Sequence, residues 1–204
     1  MDVNAAGQLA LQLMMGVSLA ACAGLRAWLP LLCVGLLARF SHIPLNENFA
    51  FLTSTPLLTI LGVATVIEIL GDKIIAVDQF LDTIGTFARP IAGALVAASL
   101  INPQDPTWAT VLGVVLGGGT ALTVHTAKAL TRLQSTAAAP VHGGTVNLGM
   151  SLGEDFLSLG GIGLAVWIPL IAFALAALFL VLCVYLIRIA IHHGKRVMKA
   201  LGIG

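Results

Sequence analysis

The chain has 204 residues, of which 9% are charged and 58% are hydrophobic, and its formal net charge is +1 at pH 7. An average soluble domain carries roughly 25% charged residues, so this composition excludes an ordinary water-soluble domain, and its hydrophobicity excludes disorder. The ten scattered Lys and Arg residues also exclude nucleic-acid binding through a basic face. What remains is an integral membrane protein.

The long uncharged runs predict where the chain crosses the membrane, because a spanning helix needs about 20 predominantly apolar residues. Four runs are long enough, and they cover residues 3–25, 48–67, 106–127 and 156–187. The shorter apolar runs 27–38 and 90–104 contain or begin with a proline, which kinks or ends a helix. The sequence therefore predicts an all-α fold, a polytopic membrane helix bundle with five or six crossings and with broken or re-entrant helices.

Two later segments are expected to interrupt the bundle. Residues 133–153 are rich in Gly, Ser, Thr and Pro, a composition that favours a loop or a re-entrant segment over a lipid-facing helix. Near its end, Ser151 followed by Glu154 fits a capping box that opens the next helix. Pro169 divides the last apolar run, so we expect a short helix over 156–168 before the final span.

We expect one integral membrane domain over residues 1–204, and we consider the hypothesis that it contains two repeat halves, 1–104 and 105–204. Each half carries a basic residue, Arg26 or Lys128, late in a Gly- and Ala-rich helix. Small transporters are often built from such repeats, with sites where broken helices meet. The alternative is that small residues and late cations recur by chance in a membrane bundle.

Basic residues predict the orientation of the chain. The densest basic cluster is formed by Arg188 and the tail 189–204. Such residues flank the cytoplasmic ends of membrane helices, so we expect this tail in the cytoplasm and a multi-pass protein in the bacterial inner membrane. Lys128 and Arg132 indicate that the helix before them ends on the same side, which requires an extra crossing or a re-entrant pair after them. The N-terminus lacks the basic stretch of a signal peptide, so the first helix is expected to be a retained span.

Charged residues at membrane depth are the candidate site residues, because a charge at the centre of a spanning helix costs about 2.5–3.5 kcal/mol. Glu68 and Asp72 are four residues apart, so a helix presents both carboxylates on one face. Two oxygen ligands on one face suit a divalent cation such as Ca²⁺ or Mn²⁺, or a proton relay. The alternative is a helix end at the membrane surface, where Lys73 is solvated and Asp72 is paired.

Asp78 and Asp82 are also four residues apart and predict one acidic face of a short amphipathic helix. A solvated face is the commoner explanation of such a pair. Arg89 follows on the same segment, where it can neutralise part of this face or reach back to Glu68.

Arg26 lies between two apolar runs and marks either an interfacial anchor, with Trp28 in the aromatic belt, or a helix broken around a site, which we favour. The three consecutive glycines 117–119 indicate close backbone approach or an unwound turn. His125 and Lys128 follow on the same helix and share a face. A lone histidine in a membrane helix is more often a packing residue than a ligand.

Glu154 and Asp155 are loose counterparts, in the second half, of Glu68 and Asp72. No metalloprotease, hydrolase, P-loop or dinucleotide motif is present, so we expect that the protein is not an enzyme. An enzyme that acts on lipid would need an acid–base pair such as His125 with Asp155. We expect no cofactor, unless a divalent cation binds as the substrate.

The chain carries five landmarks in a fixed order, at residues 24–30, 68–73, 78, 89–90 and 151–155. On these residues it resembles an uncharacterised bacterial membrane-protein family, the domain of unknown function 4126, and the resemblance implies a membrane location and one domain but no reaction. Residues 68–73 are also similar to the Glu-x-Gly-Asp-Lys/Arg-Ser/Thr motif of small cation/proton exchangers for Mn²⁺ and Ca²⁺, with one extra residue between Glu68 and Asp72. This second similarity implies a carboxylate cation site.

Two functions of different classes follow. In the first, the chain is a small membrane transporter or channel for a divalent cation or protons. Glu68 and Asp72 bind the ion, and Glu154 or Asp155 completes the binding site. The charge-balancing cations of this hypothesis are Arg26, Lys73, Arg89 and Lys128. In the second, it is a non-transporting scaffold or assembly subunit whose buried charges are structural ion pairs. The expected partners are the lipid bilayer and either a second copy or another membrane protein, without nucleic acid.

Overall fold

The computed structural model describes residues 3–40, 42–101, 106–137 and 145–200, and these residues form helices and short connections without any strand. The α-helices are α1 Val3–Leu25, α2 Trp28–Arg39, α3 Thr55–Gly71, α4 Ile75–Leu100, α5 Pro106–Leu112, α6 Gly119–Ala137, α7 Thr145–Trp167 and α8 Pro169–Ala200. A 3₁₀-helix, Glu47–Thr53, precedes α3, and a π-helix, Gly113–Gly118, joins α5 to α6. The predicted all-α fold is confirmed.

Several helices are long and apolar enough to cross a membrane. Four candidate spans lie within the described residues, and they are Ala6–Leu25, Val77–Leu100, Thr110–Leu133 and Pro169–His192. The 3₁₀-helix and α3 form a pair bent by 64° that counts as a fifth span if the two belong together. The chain is therefore a polytopic membrane helix bundle, and the described residues support the lower of the two predicted numbers of crossings.

The segment before the last span differs from its prediction. α6 continues to Ala137 and α7 is one helix over Thr145–Trp167, so the loop predicted for 133–153 is wrong at both ends, while residues 138–144 lie outside the described part of the chain. The separate short helix predicted over 156–168 is wrong as well. Ser151 lies inside this helix, which makes the predicted capping box wrong as well. Membrane helices tolerate Gly, Ser and Thr because small residues let neighbouring helices approach. The break predicted at Pro169 is present, since α8 begins there.

Helices α1, α4 and α6 form the centre of the bundle and pack through small residues. Gly16 of α1 lies against Ala97 of α4, and Gly24 faces Ala121 and Val124 of α6. These contacts leave no room for larger side chains. Close backbone approach of this kind supplies the van der Waals packing that holds membrane helices together.

The π-helix packs against α4 through glycine. Gly113 faces Ala98, whereas Gly117 faces Gly93, so the two segments run in opposite directions. A π-helix is a local departure from α-geometry that often marks a functional region. Of the two alternatives predicted from the glycine run 117–119, close backbone approach is present at Gly117.

Replacing Gly117 by alanine should destabilise the protein by about 1–3 kcal/mol, because this contact is already full. The added Cβ would lie 2.6 Å from Ala97 Cβ and would meet the carbonyl oxygen of Gly93. Gly119→Ala is the matched control, since nothing from a neighbouring helix lies within 4 Å of its added Cβ. Thermal unfolding in detergent checks the difference, and equal melting temperatures for the two variants would contradict it.

The helices alternate in direction, which brings their charged ends together. Arg39 at the end of α2 donates to Thr55 at the start of α3, whereas Glu68 near the end of α3 accepts from Ala27 at the start of α2. α4 begins just after α3 ends and runs back. We call the end of the bundle that holds Arg26 and Glu68 the charged end.

Helix α8 also reaches the charged end. Its Cys183 belongs to the same buried cluster as Leu25 and Ala127, the residues directly before Arg26 and Lys128. α8 has the highest mean hydropathy of the candidate spans, 3.0, and the smallest share of buried residues. Most of its surface therefore faces outward.

Candidate functional site

The predicted site residues come together in one buried cluster at the charged end. Six carboxylates and five cations are linked by N–O distances of 3.9 Å or less. We call this cluster the charge network, and its members are Glu68, Asp72, Asp78, Asp82, Glu154, Asp155, Arg26, Lys73, Arg89, Lys128 and Arg132. With every member ionised, the network carries one net negative charge.

Arg26 lies at the centre of the network, in the break between α1 and α2 that the sequence predicts. Its guanidinium is fully buried, so it is not an interfacial anchor. It pairs with Asp72, lies 2.8 Å from an Asp155 oxygen, and donates to the carbonyl and hydroxyl oxygens of Ser151 at 3.2 Å each. Arg26 thus ties the α1–α2 break to the end of α3 and to α7.

Asp72 follows α3 and shares three cations. Besides Arg26, the nitrogens of Lys128 and Arg132 each lie 3.4 Å from its Oδ2 atom. Burial acts to raise the pKa of the Asp72 carboxyl, but the surrounding cations, led by Lys128 and Arg26, hold it below its usual value. Asp72 is thus a paired carboxylate at the end of α3, as the alternative of a helix end predicts, although it is buried.

The Glu68 side chain caps the N-terminus of α2. Its two carboxylate oxygens accept from the backbone amides of Ala27 at 3.0 Å and Trp28 at 3.3 Å. Ala27, at the N-cap position of α2, offers no side-chain acceptor of its own. A carboxylate at a helix N-terminus satisfies free amides and complements the helix dipole. Arg89 approaches the same carboxylate at 3.6 Å.

Asp78 is buried in the network and Asp82 is half-buried and ion-paired, so the solvated acidic face predicted for them is wrong. Asp78 is 3% exposed and pairs with Arg132. Asp82 pairs with Arg89 at 2.9 Å and with Lys128 at 3.7 Å. The physical reason is that α6 lays two cations beside the first turns of α4. Arg89 makes both contacts considered from the sequence, because it pairs with Asp82 and also reaches Glu68 of α3.

His125 lies beside the network and has a defined hydrogen-bonding state. Its Nδ1 atom is 2.5 Å from Arg89 Nη1, and its Nε2 atom is 3.2 Å from Thr86 Oγ1. Because arginine only donates, Nδ1 accepts and Nε2 carries the proton, which makes the ring neutral. Within the described residues no hydrogen bond joins His125 to Asp155, the acid–base partner considered from the sequence.

Arg132 is the network member that sequence reasoning missed as a site residue. It donates to both oxygens of Glu154, from Nη2 at 2.7 Å and from Nε at 3.2 Å. Lys128, one helical turn earlier on α6, lies 3.0 Å from the same carboxylate. The signal that points to Arg132 is its four-residue spacing from Lys128, which puts both cations on one helix face.

The network meets water at its edge. Lys73 is the most exposed member that the ion pairs join, with 29% of its side chain accessible, and it lies 3.2 Å from Asp155. Asp155 is 16% exposed and also pairs with the buried Arg26. It therefore links the solvent-facing edge to the buried centre.

The two metal ligands predicted from the sequence, Glu68 and Asp72, do not face a common point. Within the described part of the chain, no group of three or more His, Cys, Asp or Glu side chains is arranged to hold a metal. Glu68 and Asp72, the ligands predicted from the sequence, point at different partners, since one accepts backbone amides and the other faces cations. A divalent cation would need several carboxylate oxygens directed at one point.

Comparison with known proteins gives a family but no activity. No curated protein and no solved structure matches the chain. The similarity of residues 68–73 to the exchanger motif therefore rests on that motif alone. One family model, described as a domain of unknown function, matches residues 13–189, a range that includes every member of the charge network. The chain belongs to this family, the domain of unknown function 4126.

Proposed function

We propose that the protein is a small membrane transporter in which the charge network binds and releases a proton. The observation that carries this proposal is that six carboxylates, four of them buried, face only five cations. An uncompensated charge in a water-poor interior is costly, and uptake of one proton removes it. Such a proton belongs to the coupled network rather than to one residue.

The sharing of cations supports coupling between protonation and helix movement. Lys128 lies within 4 Å of Asp72, Asp82 and Glu154, which come from three different segments. When one carboxylate takes up a proton, its cation is released to the others, and the balance of contacts among the helices changes. Broken helices that meet at buried charges are the usual setting for such exchange, and α1 and α2 meet in this way at Arg26.

A proton is favoured over a divalent cation as the bound species. The carboxylates are individually faced by cations, and a divalent cation would have to displace several of these. Binding and transport are proposed rather than catalysis. We further propose that the charged end faces the cytoplasm of a bacterial inner membrane, because α8 continues past Arg188 into the basic part of the chain.

A structural scaffold is the second candidate, and one observation favours it. Glu68 is fully engaged by the α2 amides and Arg89, so it behaves as a fixed cap rather than as an exchanging group. If the whole network were fixed in this way, its ion pairs would hold the helices together and present a surface to another membrane protein. Neutralising one member would then cause loss of folding or loss of a co-purifying partner, rather than a loss of ion flux in a folded protein.

The proton is tested directly by infrared spectroscopy of the purified protein, which detects the carbonyl stretch of a protonated carboxyl. We expect this band in the wild type at neutral pH. Asp155→Asn leaves five carboxylates against five cations, so the band should disappear. Glu47→Gln changes an exposed carboxylate outside the network and should leave the band unchanged. A wild type without the band would contradict the proposed proton.

Transport is tested in proteoliposomes that contain a pH-sensitive dye, with Mn²⁺, Ca²⁺ or Na⁺ supplied outside. We expect cation- or gradient-dependent proton movement in the wild type and in Glu47→Gln, and at least about tenfold less in Asp155→Asn. Each variant must first elute as one symmetric peak in size exclusion. If no proton movement is seen with the wild type or with any folded variant, the transport proposal is wrong and the scaffold is favoured.

A further inference from the structure

A groove on the outside of the bundle is separate from the charge network. It has a volume of about 660 Å³ and lies between α8 and the segment formed by the π-helix and α6. Val115 and Leu116 line one side, and Val181 and Val184 line the other. These side chains give the groove an apolar wall at the depth of two candidate membrane spans.

One end of the groove is polar. Arg188 and Tyr185 of α8 lie there with Thr123 of α6. The same stretch of α8 holds Cys183, which packs beside Leu25 at the charged end, so this polar end faces the same side of the membrane as the network. Arg188 also lies near the end of the candidate span, which closes at His192. Tyrosine and arginine are typical of this depth, where lipid headgroups begin.

Arg188 has no anionic partner in the part of the chain that the structure describes. The cations of the charge network each pair with at least one carboxylate, whereas no ion pair or hydrogen bond joins Arg188 to another described residue. Its side chain is exposed at the surface of the bundle. An exposed guanidinium at headgroup depth, with no carboxylate beside it among the described residues, is complementary to a phosphate.

We propose that this groove binds an anionic phospholipid, with the phosphate at Arg188 and an acyl chain along Val115, Val181 and Val184. Charge complementarity selects this occupant over a zwitterionic lipid. The sequence also carries Lys195 and Lys199 beyond Arg188. Basic residues just beyond a membrane helix, and basic pockets between helices, are recognised sites for anionic headgroups.

The test is native mass spectrometry of the delipidated full chain with phosphatidylglycerol or phosphatidylcholine of identical acyl chains. We expect the wild type to retain phosphatidylglycerol in preference to phosphatidylcholine. Arg188→Gln should weaken phosphatidylglycerol binding about fivefold, whereas Arg188→Lys should retain most of it. Arg39→Gln is the control, since Arg39 is an exposed cation far from the groove and bonded to Thr55.

Three results would overturn the proposal. The first is equal retention of the two lipids by the wild type, and the second is unchanged binding in Arg188→Gln. The third concerns Val181→Trp, which fills the groove and should lower phosphatidylglycerol binding. If Val181→Trp instead converts a dimer to a monomer without changing lipid retention, the occupant is a second copy of the chain. Size exclusion and thermal unfolding establish that each variant is folded before its binding is read.

Discussion

Arg26→Gln is expected to lower the free energy of unfolding by about 3–5 kcal/mol, because removing a buried cation leaves the network with a second uncompensated negative charge. Two carboxylates lose their shared cation, those of Asp72 and Asp155, and the Ser151 carbonyl loses a donor. The guanidinium is fully buried, so water does not replace it. Reversible unfolding in mixed detergent micelles measures the loss.

A double-mutant cycle separates the ion pair from general disruption at this position. If Arg26 stabilises the fold through Asp72, the double variant Arg26→Gln/Asp72→Asn should lose clearly less stability than the sum of the single variants. Arg26→Lys keeps the charge but not the fork that reaches both α3 and α7, so it should lie between the wild type and Arg26→Gln. Arg39→Gln should stay within about 0.5 kcal/mol of the wild type, as an exposed residue. Strict additivity in the cycle would contradict the coupling.

The class of fold was predictable because it depends on composition. Long apolar runs with few charges predict membrane helices. Charges and prolines gave their bounds only in part, since the candidate span Val77–Leu100 contains Asp78, Arg89 and Pro90. The same reasoning predicted that charges inside such runs need partners, and Glu68, Asp72 and Arg26 are indeed buried in contact with others. The free-energy cost of a charge in an apolar run can be recognised in the sequence, so the sequence identifies the site residues. It does not identify which residues pair with them.

The pairing itself was not predictable because it joins residues far apart in the chain. Asp78 reads as a solvated acid until α6 is known to lie beside it with Arg132. Arg132 reads as a topology signal near a loop until α7 brings Glu154 against it. The role of Glu68 depends on a helix break elsewhere, since the α2 amides it caps are about 40 residues away. Local spacing predicts which residues share a helix face, but it does not predict which other helix packs against that face.

Arg132→Gln should have an effect as large as that of Arg26→Gln, about 3–5 kcal/mol near neutral pH, and it should depend on pH. Arg132 neutralises Asp72, Asp78 and Glu154 together, so its loss raises the net charge of the network from one negative charge to two. A proton can replace the missing cation. The folded variant then binds more protons than its unfolded chain does, and its stability falls as the pH rises.

The measurement is unfolding of the wild type and Arg132→Gln at about pH 5 and about pH 8, where the deficit of the variant should be smaller at the lower pH. Adding Glu154→Gln to Arg132→Gln removes one carboxylate along with the cation and returns the network to one net negative charge. This double variant should show the pH dependence of the wild type. A deficit of equal size at both pH values would mean that Arg132 acts through packing alone, and that the network does not exchange a proton for a cation.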